Sequence, residues 1–123
     1  MTINDVITRI DALKPNTYSV EDKIRWLSEL DGIIKVKIID THEGGESVSF
    51  SGYPGDCDLM TELLVPAPHD DVYIYWLEAQ IDYANGEYNK YNNSRERYNA
   101  VYADFRNYYN RTHMPKGAKF KFF

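Results

Sequence analysis

Pro68-His69-Asp70-Asp71-Val72-Tyr73-Ile74-Tyr75-Trp76-Leu77 is the stretch that decides the fold. From Val72 to Leu77 every residue is apolar or aromatic, which suits a helix buried nearly all round instead of one with a single wet face. Pro68 fits a first helical turn, where its missing amide leaves no bond unmade, and Asp70 and Asp71 suit the positive end of the helix dipole. Gly86 closes the segment, so a helix is predicted over about 68–85. Such a helix must be wrapped, by its own domain and by a neighbouring subunit, with Tyr73, Tyr75 and Trp76 as the residues offered to that neighbour.

Downstream, Tyr88, Tyr91, Tyr98, Val101, Tyr102, Phe105, Tyr108 and Tyr109 fall mostly three or four apart, with Asn, Arg and Glu between them. The spacing predicts a last helix over 87–111, antiparallel to the central one across a short turn. Upstream, Ile3, Val6, Ile7, Ile10 and Leu13 predict a helix over 3–14, capped by Thr2 and stopped by Pro15. Ser19, with Glu21 and Asp22 after it, caps a further helix over 20–40 that carries Ile24, Leu27, Leu30, Ile34 and Ile38. Trp26 and Ile33 fall off that stripe and predict a second, inter-subunit contact surface. Gly32 lowers helix propensity by about 1 kcal/mol relative to Ala and permits close approach.

Between 42 and 67 the helical period disappears, and Gly44-Gly45, Gly52, Pro54, Gly55 and Pro66 punctuate the chain. Glu46-Ser47-Val48-Ser49-Phe50 alternates as a half-buried strand does, and Glu62-Leu63-Leu64-Val65 is its expected partner, with a hairpin tip near Tyr53 to Asp58. The fold class is therefore mainly α: a small helical bundle over 1–111 with a β-hairpin-like insertion, followed by an extended tail over 112–123.

Composition agrees with one small domain: 123 residues of which 43% are hydrophobic. The formal net charge is −5, and the residues from Thr112 onward hold three lysines and no acid, so the body before them stands at −8. An acidic body argues against a surface that reads nucleic-acid sequence, which needs clustered Lys and Arg. A lone cysteine, Cys57, cannot close an internal disulfide, and no apolar run approaches the roughly 20 residues of a membrane span. The start lacks a basic segment followed by an apolar one, so synthesis in a reducing cytoplasm is expected, with no membrane association.

Enzymatic chemistry has little support in these residues. His42, His69 and His113 belong to separate loops or helix ends and lack metal-site spacing. Asp56, Asp58 and Glu62 crowd the hairpin tip without the pattern of a calcium loop, and Asp with Gly is common turn chemistry. Cys57 has no adjacent activating base, and no nucleophile elbow, phosphate loop or dinucleotide fingerprint is present. No enzyme activity, cofactor or metal is expected. The Tyr-rich last helix also carries Lys90, Arg95, Arg97, Arg106 and Arg111, so a small single-stranded nucleic-acid-binding protein is the alternative, using that helix and the tail. Helical spacing of the rings suits core and interface packing better.

Met114-Pro-Lys-Gly-Ala-Lys-Phe-Lys-Phe-Phe123 is too short to fold alone, and its alternating lysines and phenylalanines seek a partner. Together with three other stretches it carries a resemblance. Arg25-Trp26-Leu27-Ser28-Glu29-Leu30-Asp31 on an early helix, Glu62-Leu63-Leu64-Val65-Pro66 leading into the Tyr73-rich helix, Asn89-Lys90-Tyr91-Asn92-Asn93-Ser94 opening the last helix, and Tyr108 to Gly117 resemble the head-to-tail adaptor (connector, or head completion) proteins of tailed bacteriophages and prophages. The likeness covers almost the whole chain and rests on helix order, loop placement and short stretches, without a catalytic signature.

The resemblance implies a structural virion protein of the neck, assembled in the bacterial host cytoplasm. Copies, usually twelve, form a ring below the portal protein that extends the DNA channel. The ring offers a platform to the next neck or tail component, a stopper or tail completion protein, and genomic DNA passes through its lumen without sequence-specific binding. It implies a C-terminal segment that clasps the portal: Met114, Lys116, Lys119, Phe120, Lys121, Phe122 and Phe123. Val48, Phe50 and Tyr53 would contact an adjacent subunit or the next ring. Gly32 and the Gly55-Asp56-Cys57-Asp58 tip match no family role.

Overall fold

In the computed structural model, which describes residues 1–116, four helices form an up-and-down bundle: α1 (Ile3–Leu13), α2 (Val20–Lys37), α3 (Asp71–Ala84) and α4 (Tyr88–Thr112). The mainly helical class and its helix order are as the periodicity predicts. Thr2 caps α1 in a reciprocal box with Asp5, whose carboxyl is held below its ordinary range chiefly by the Thr2 backbone bond. Ser19 caps α2 through a bond from the Asp22 amide. Gly86 takes φ +75° in the α3–α4 turn, a conformation that costs a glycine little. α3 and α4 then run antiparallel as the closest pair of the bundle.

Three boundaries differ from expectation. α2 ends at Lys37 and tightens into a 3₁₀ turn, Ile39–Thr41, instead of continuing to 40. Pro68 stands before α3 in a turned segment, joined to Ala67 by a cis peptide bond, and the helix opens only at Asp71. α4 runs through Thr112, so the non-helical tail starts at His113.

The predicted hairpin is not formed. The 46–50 stretch holds a 3₁₀ turn, Gly45–Ser47, and loop, with no strand. Its intended partner is claimed elsewhere: Glu62 bridges Thr2, the Leu63 amide donates to Met1 O, and the Ile3 amide donates to Thr61 O. Backbone groups beside the first turn of α1 are free to pair, and an edge already there outcompetes a distant one. Among the described residues the only bridges are this one and His42 with Pro115.

What fastens the 42–67 segment instead is one buried carboxylate. Asp31 sits within the apolar stripe of α2 and is fully buried. It accepts bonds from Tyr73 Oη at 2.6 Å, from Tyr53 Oη, and from the Leu64 amide at 3.2 Å. Tyr73 Oη in turn accepts the Val65 amide at 2.8 Å. Ser28 Oγ takes the Tyr53 amide at 3.0 Å, where Gly52 turns the loop at φ +102°. Among the described residues no cation pairs with Asp31, so neutral donors alone satisfy it. Burial, the chief influence, holds its carboxyl above the ordinary 3.8, against the opposing pull of the bonds from Tyr53, Tyr73 and Leu64.

The residues expected to serve a neighbouring subunit are mostly core. Tyr73 is fully buried, Trp76 is 6% exposed and Trp26 is 8% exposed. Trp76 Nε1 donates to Trp26 O at 2.8 Å, tying α3 to α2, and the Trp26 ring packs edge-on against Tyr18 at 5.5 Å. The two helices cross closely enough to consume Trp26 from within the subunit. Two polar ties complete the core. Buried Asp82 takes Lys14 Nζ at 2.7 Å and Ser94 Oγ at 2.9 Å, and nearly buried Lys23 reaches Asp11 at 2.7 Å. They join α1 to α3, α4 and α2.

Removing the carboxylate with Asp31→Ala leaves three donors without their acceptor and is expected to cost about 3 kcal/mol in urea unfolding, with Tyr73→Phe costing about 1–3 kcal/mol. The pH dependence has a definite sign. A folded pKa above the unfolded one means the native state holds the proton more tightly. Asp31's contribution is therefore fully present below its ordinary 3.8 and is lost as pH rises through the raised folded value. Asp31→Asn should flatten that part of the stability profile.

Candidate functional site

The last turn of α4 meets the 3₁₀ turn that follows α2, and the tail is rooted there. Its root is a short antiparallel pairing: the Glu43 amide donates to Met114 O at 2.8 Å and the Lys116 amide donates to Thr41 O at 3.1 Å, around the His42–Pro115 bridge. His42 is the hub of this corner and is 3% exposed. Its Nδ1 donates to Ile38 O at 2.6 Å, and its Nε2 lies 2.8 Å from Asn110 Oδ1. Tyr109 meets its ring edge-on at 4.8 Å between centroids, and His113 stacks flat on Tyr109 at 3.7 Å. Two stretches about seventy residues apart, the end of α2 and the end of α4 with the tail root, thus converge on one imidazole.

Of the expected docking residues, Met114 is 51% exposed and Lys116 is exposed, just outside the root. Lys119, Phe120, Lys121, Phe122 and Phe123 lie outside the described residues. Spacing along the sequence had set His42 aside as a lone histidine, since nothing local links it to Asn110 or Pro115.

Beside the root an apolar cleft of about 260 Å³ is lined by Ile39, Val48, Leu64, Phe105, Tyr108 and His113, among others. Val48, expected as a hairpin contact, is thereby a wall of this cleft and packs half-buried on the core. Phe50 and Tyr53 pack edge-on at 5.0 Å over the Asp31 network, so neither stands free as the tip of a hairpin would.

The outer face of α2 is the second unpartnered surface. Glu29, Gly32, Ile33, Val36 and Lys37 line a shallow groove there, and Val36 is 65% exposed. Ile33 is half-buried, which makes it the one off-stripe residue of α2 that still faces outward. A Cβ at Gly32 would meet only Phe50, at 4.0 Å, so close approach does not require glycine at this position. Tyr75 is half-buried, with Arg97 lying 5.6 Å above its ring.

Two of the five basic residues of α4 and most of its rings are engaged within the subunit, while Lys90, Arg106 and Arg111 are exposed. Arg95 lies over Trp76 and Tyr98, at 5.9 and 5.3 Å, and Arg97 approaches Glu78 at 3.9 Å. Burial pushes the Tyr98 phenol up to about 12, so that ring stays neutral in the core. Of the seven rings on this helix, Tyr88 and Tyr108 are the exposed ones. A base-stacking platform needs a row of open rings flanked by free cations.

Burial, with Asp56 and Asp58 beside it, pushes the Cys57 thiol up, opposite to what a nucleophile needs. Among the described residues no group of three or more His, Cys, Asp or Glu is placed to hold a metal ion. No described helix is long and apolar enough to cross a membrane. Comparison with protein-family models, with curated proteins and with solved structures finds no match to this chain.

His42→Ala removes the bonds to Ile38 and Asn110 and should loosen the root. The expected results are a stability loss of about 1–3 kcal/mol and faster tryptic cleavage after Arg111 and Lys116, followed by mass spectrometry.

Proposed function

We propose that this chain is a head-to-tail adaptor subunit of a tailed bacteriophage or prophage, one copy of a twelve-membered ring below the portal. In that reading the ring prolongs the DNA channel, joins capsid to tail and receives a stopper or tail completion protein. The observation that carries it is the rooted tail. A segment rich in Lys and Phe leaves the body from a fixed point, anchored by paired backbone bonds on both sides of Pro115. A tail held at its base presents its charges and rings to one partner surface with less ordering to be done on binding.

Two further features support the reading. A ring closed by heterologous contacts needs surfaces left over once each subunit's core is satisfied, and the outer face of α2 at Ile33 and Val36 is one. The body's charge of −8 ahead of the tail suits a lumen through which DNA slides without sticking. Lys116, Lys119 and Lys121 would meet acidic portal surface, and Phe120, Phe122 and Phe123 would supply the buried contacts.

The test is co-expression with the portal protein encoded by the same phage or prophage, followed by native mass measurement of the portal ring. Increments of one subunit mass each, up to one per portal subunit, are expected; an unchanged portal mass would sink the reading. Alone, the chain should be mainly monomeric, because anchoring on the portal raises the effective concentration of neighbours. Deleting residues 117–123 should abolish portal binding while thermal unfolding stays unchanged. Val36→Asp on the exposed α2 face should change stability by no more than about 0.5 kcal/mol, yet leave the ring incompletely filled.

A further inference from the structure

We propose that Asn85, in the turn between α3 and α4, is a site of spontaneous deamidation whose rate is restrained by the Tyr18 hydroxyl. The chemistry needs no partner and is independent of the adaptor reading.

Nine asparagines occur in the chain, and Asn85 is the one followed by glycine. A Cβ on the following residue crowds its amide nitrogen, and Gly86 has none, so its nitrogen is the least hindered of the nine for attack on a side-chain amide. Six of the others lie in α4 and Asn4 lies in α1. Helical ψ holds the next nitrogen away from the side-chain carbonyl, and a helix must unwind before that changes. Asn16 precedes β-branched Thr17. Asn85 instead closes α3 as its exposed C-cap, with Gly86 at φ +75° beside it. The 25 residues of α4 span about 37 Å and the seven after Lys116 reach about 23 Å, so the exposure of Asn85 does not depend on where those seven lie.

The reaction balances without a redox partner. When the turn opens and ψ of Asn85 rotates, the Gly86 nitrogen attacks Asn85 Cγ and a C–N bond forms. The Cγ–Nδ2 bond breaks, and ammonia leaves with the proton that Gly86 gave up. Water then opens the cyclic imide at one carbonyl or the other, leaving aspartate or isoaspartate.

Three hydrogen bonds hold the turn closed against this. Tyr18 Oη donates to Asn85 Oδ1 at 2.7 Å, the Gly86 amide to Tyr83 O at 3.0 Å and the Glu87 amide to Asp82 O at 2.9 Å. The first pins the side-chain carbonyl that has to swing toward Gly86, and the second occupies the attacking nitrogen. Tyr18 is fixed for its part by its own neighbours: its ring packs edge-on against Trp26 at 5.5 Å and its amide donates to Asn16 Oδ1 at 3.1 Å. The product carries a new negative charge at the C-terminus of α3, where the helix dipole opposes it, close to Glu87. Isoaspartate also lengthens the main chain inside a turn that the Glu87 bond closes tightly. The α3–α4 turn therefore loosens as the protein ages.

Full-length protein is incubated in mildly alkaline buffer, natively and in urea, and conversion of each asparagine is timed by mass spectrometry. Chymotryptic cleavage after Tyr83 and Tyr88 releases Ala84–Tyr88, whose only asparagine is Asn85. Asn85 is expected to convert before every other asparagine in the native protein, and more slowly there than in urea. Tyr18→Phe keeps the ring and loses one hydrogen bond, so conversion at Asn85 should rise about fivefold with the other asparagines unchanged. Another asparagine converting first, no conversion at Asn85 in the native protein while the chain in urea converts, or equal native and urea rates would each overturn the proposal. So would a rate in folded Tyr18→Phe at or below that of the unaltered chain. If Tyr18→Phe does not fold, the order of conversion and the difference between native protein and urea still decide.

Discussion

A carboxyl group inside an apolar stripe is expensive unless its oxygens are hydrogen-bonded, and Asp31 meets that demand by gathering three donors from elsewhere in the chain. Tyr73 supplies one from the central helix, and Tyr53 and Leu64 supply two from the long irregular segment. Tyr73 then passes the arrangement on by accepting the Val65 amide. The 42–67 segment has no hairpin to hold it, so this network, with the backbone bonds from Thr61 and Leu63 to the start of α1, fixes where Leu64 stands. Leu64 in turn walls the cleft against α4. Burial of an ionisable group thereby becomes a device for positioning a loop, and its donors are all neutral, which avoids desolvating a cation as well.

The same economy explains the surface. Trp26, off the α2 stripe, and most of the residues that make α3 apolar all round are taken up inside the subunit, because the other three helices pack against α3. Trp26, Tyr73 and Trp76 therefore leave little for a neighbour. What remains outward is the strip around Ile33 and Val36 on α2, and the corner where His42 roots the tail. The two lie toward the same end of α2. A partner that engaged the tail root would thus act close to any contact made through the α2 face.

Helix existence was legible because it rests on local spacing: Ile3 to Ile10, Ile24 to Ile34, and the Tyr-rich run of α4 each repeat at three and four. Caps were legible for the same reason, since Thr2 and Ser19 act on amides three residues away. The hairpin was not, because alternation in 46–50 shows only that a strand is possible. Pairing depends on which backbone groups the whole fold brings alongside, and Thr2, at the N-terminus of α1, bridges Glu62. Asp31 left a faint trace, a charge between Leu27 and Ile34 on the buried stripe. His42 left none, its partners Asn110 and Pro115 being about seventy residues away.

The sequence by itself determined the four helices, their order, the central burial of α3, the acidic body and the basic aromatic tail. These follow from periodicity, capping and charge, which act over a few residues. Only the tertiary structure decided that the indoles serve the core, that the irregular segment hangs on Asp31 and not on a hairpin, and that the tail starts from a fixed root at His42. Each of those depends on hydrogen bonds and packing between residues 20 to 70 positions apart, and distance along a chain says nothing of which donors will meet until the helices have closed around them.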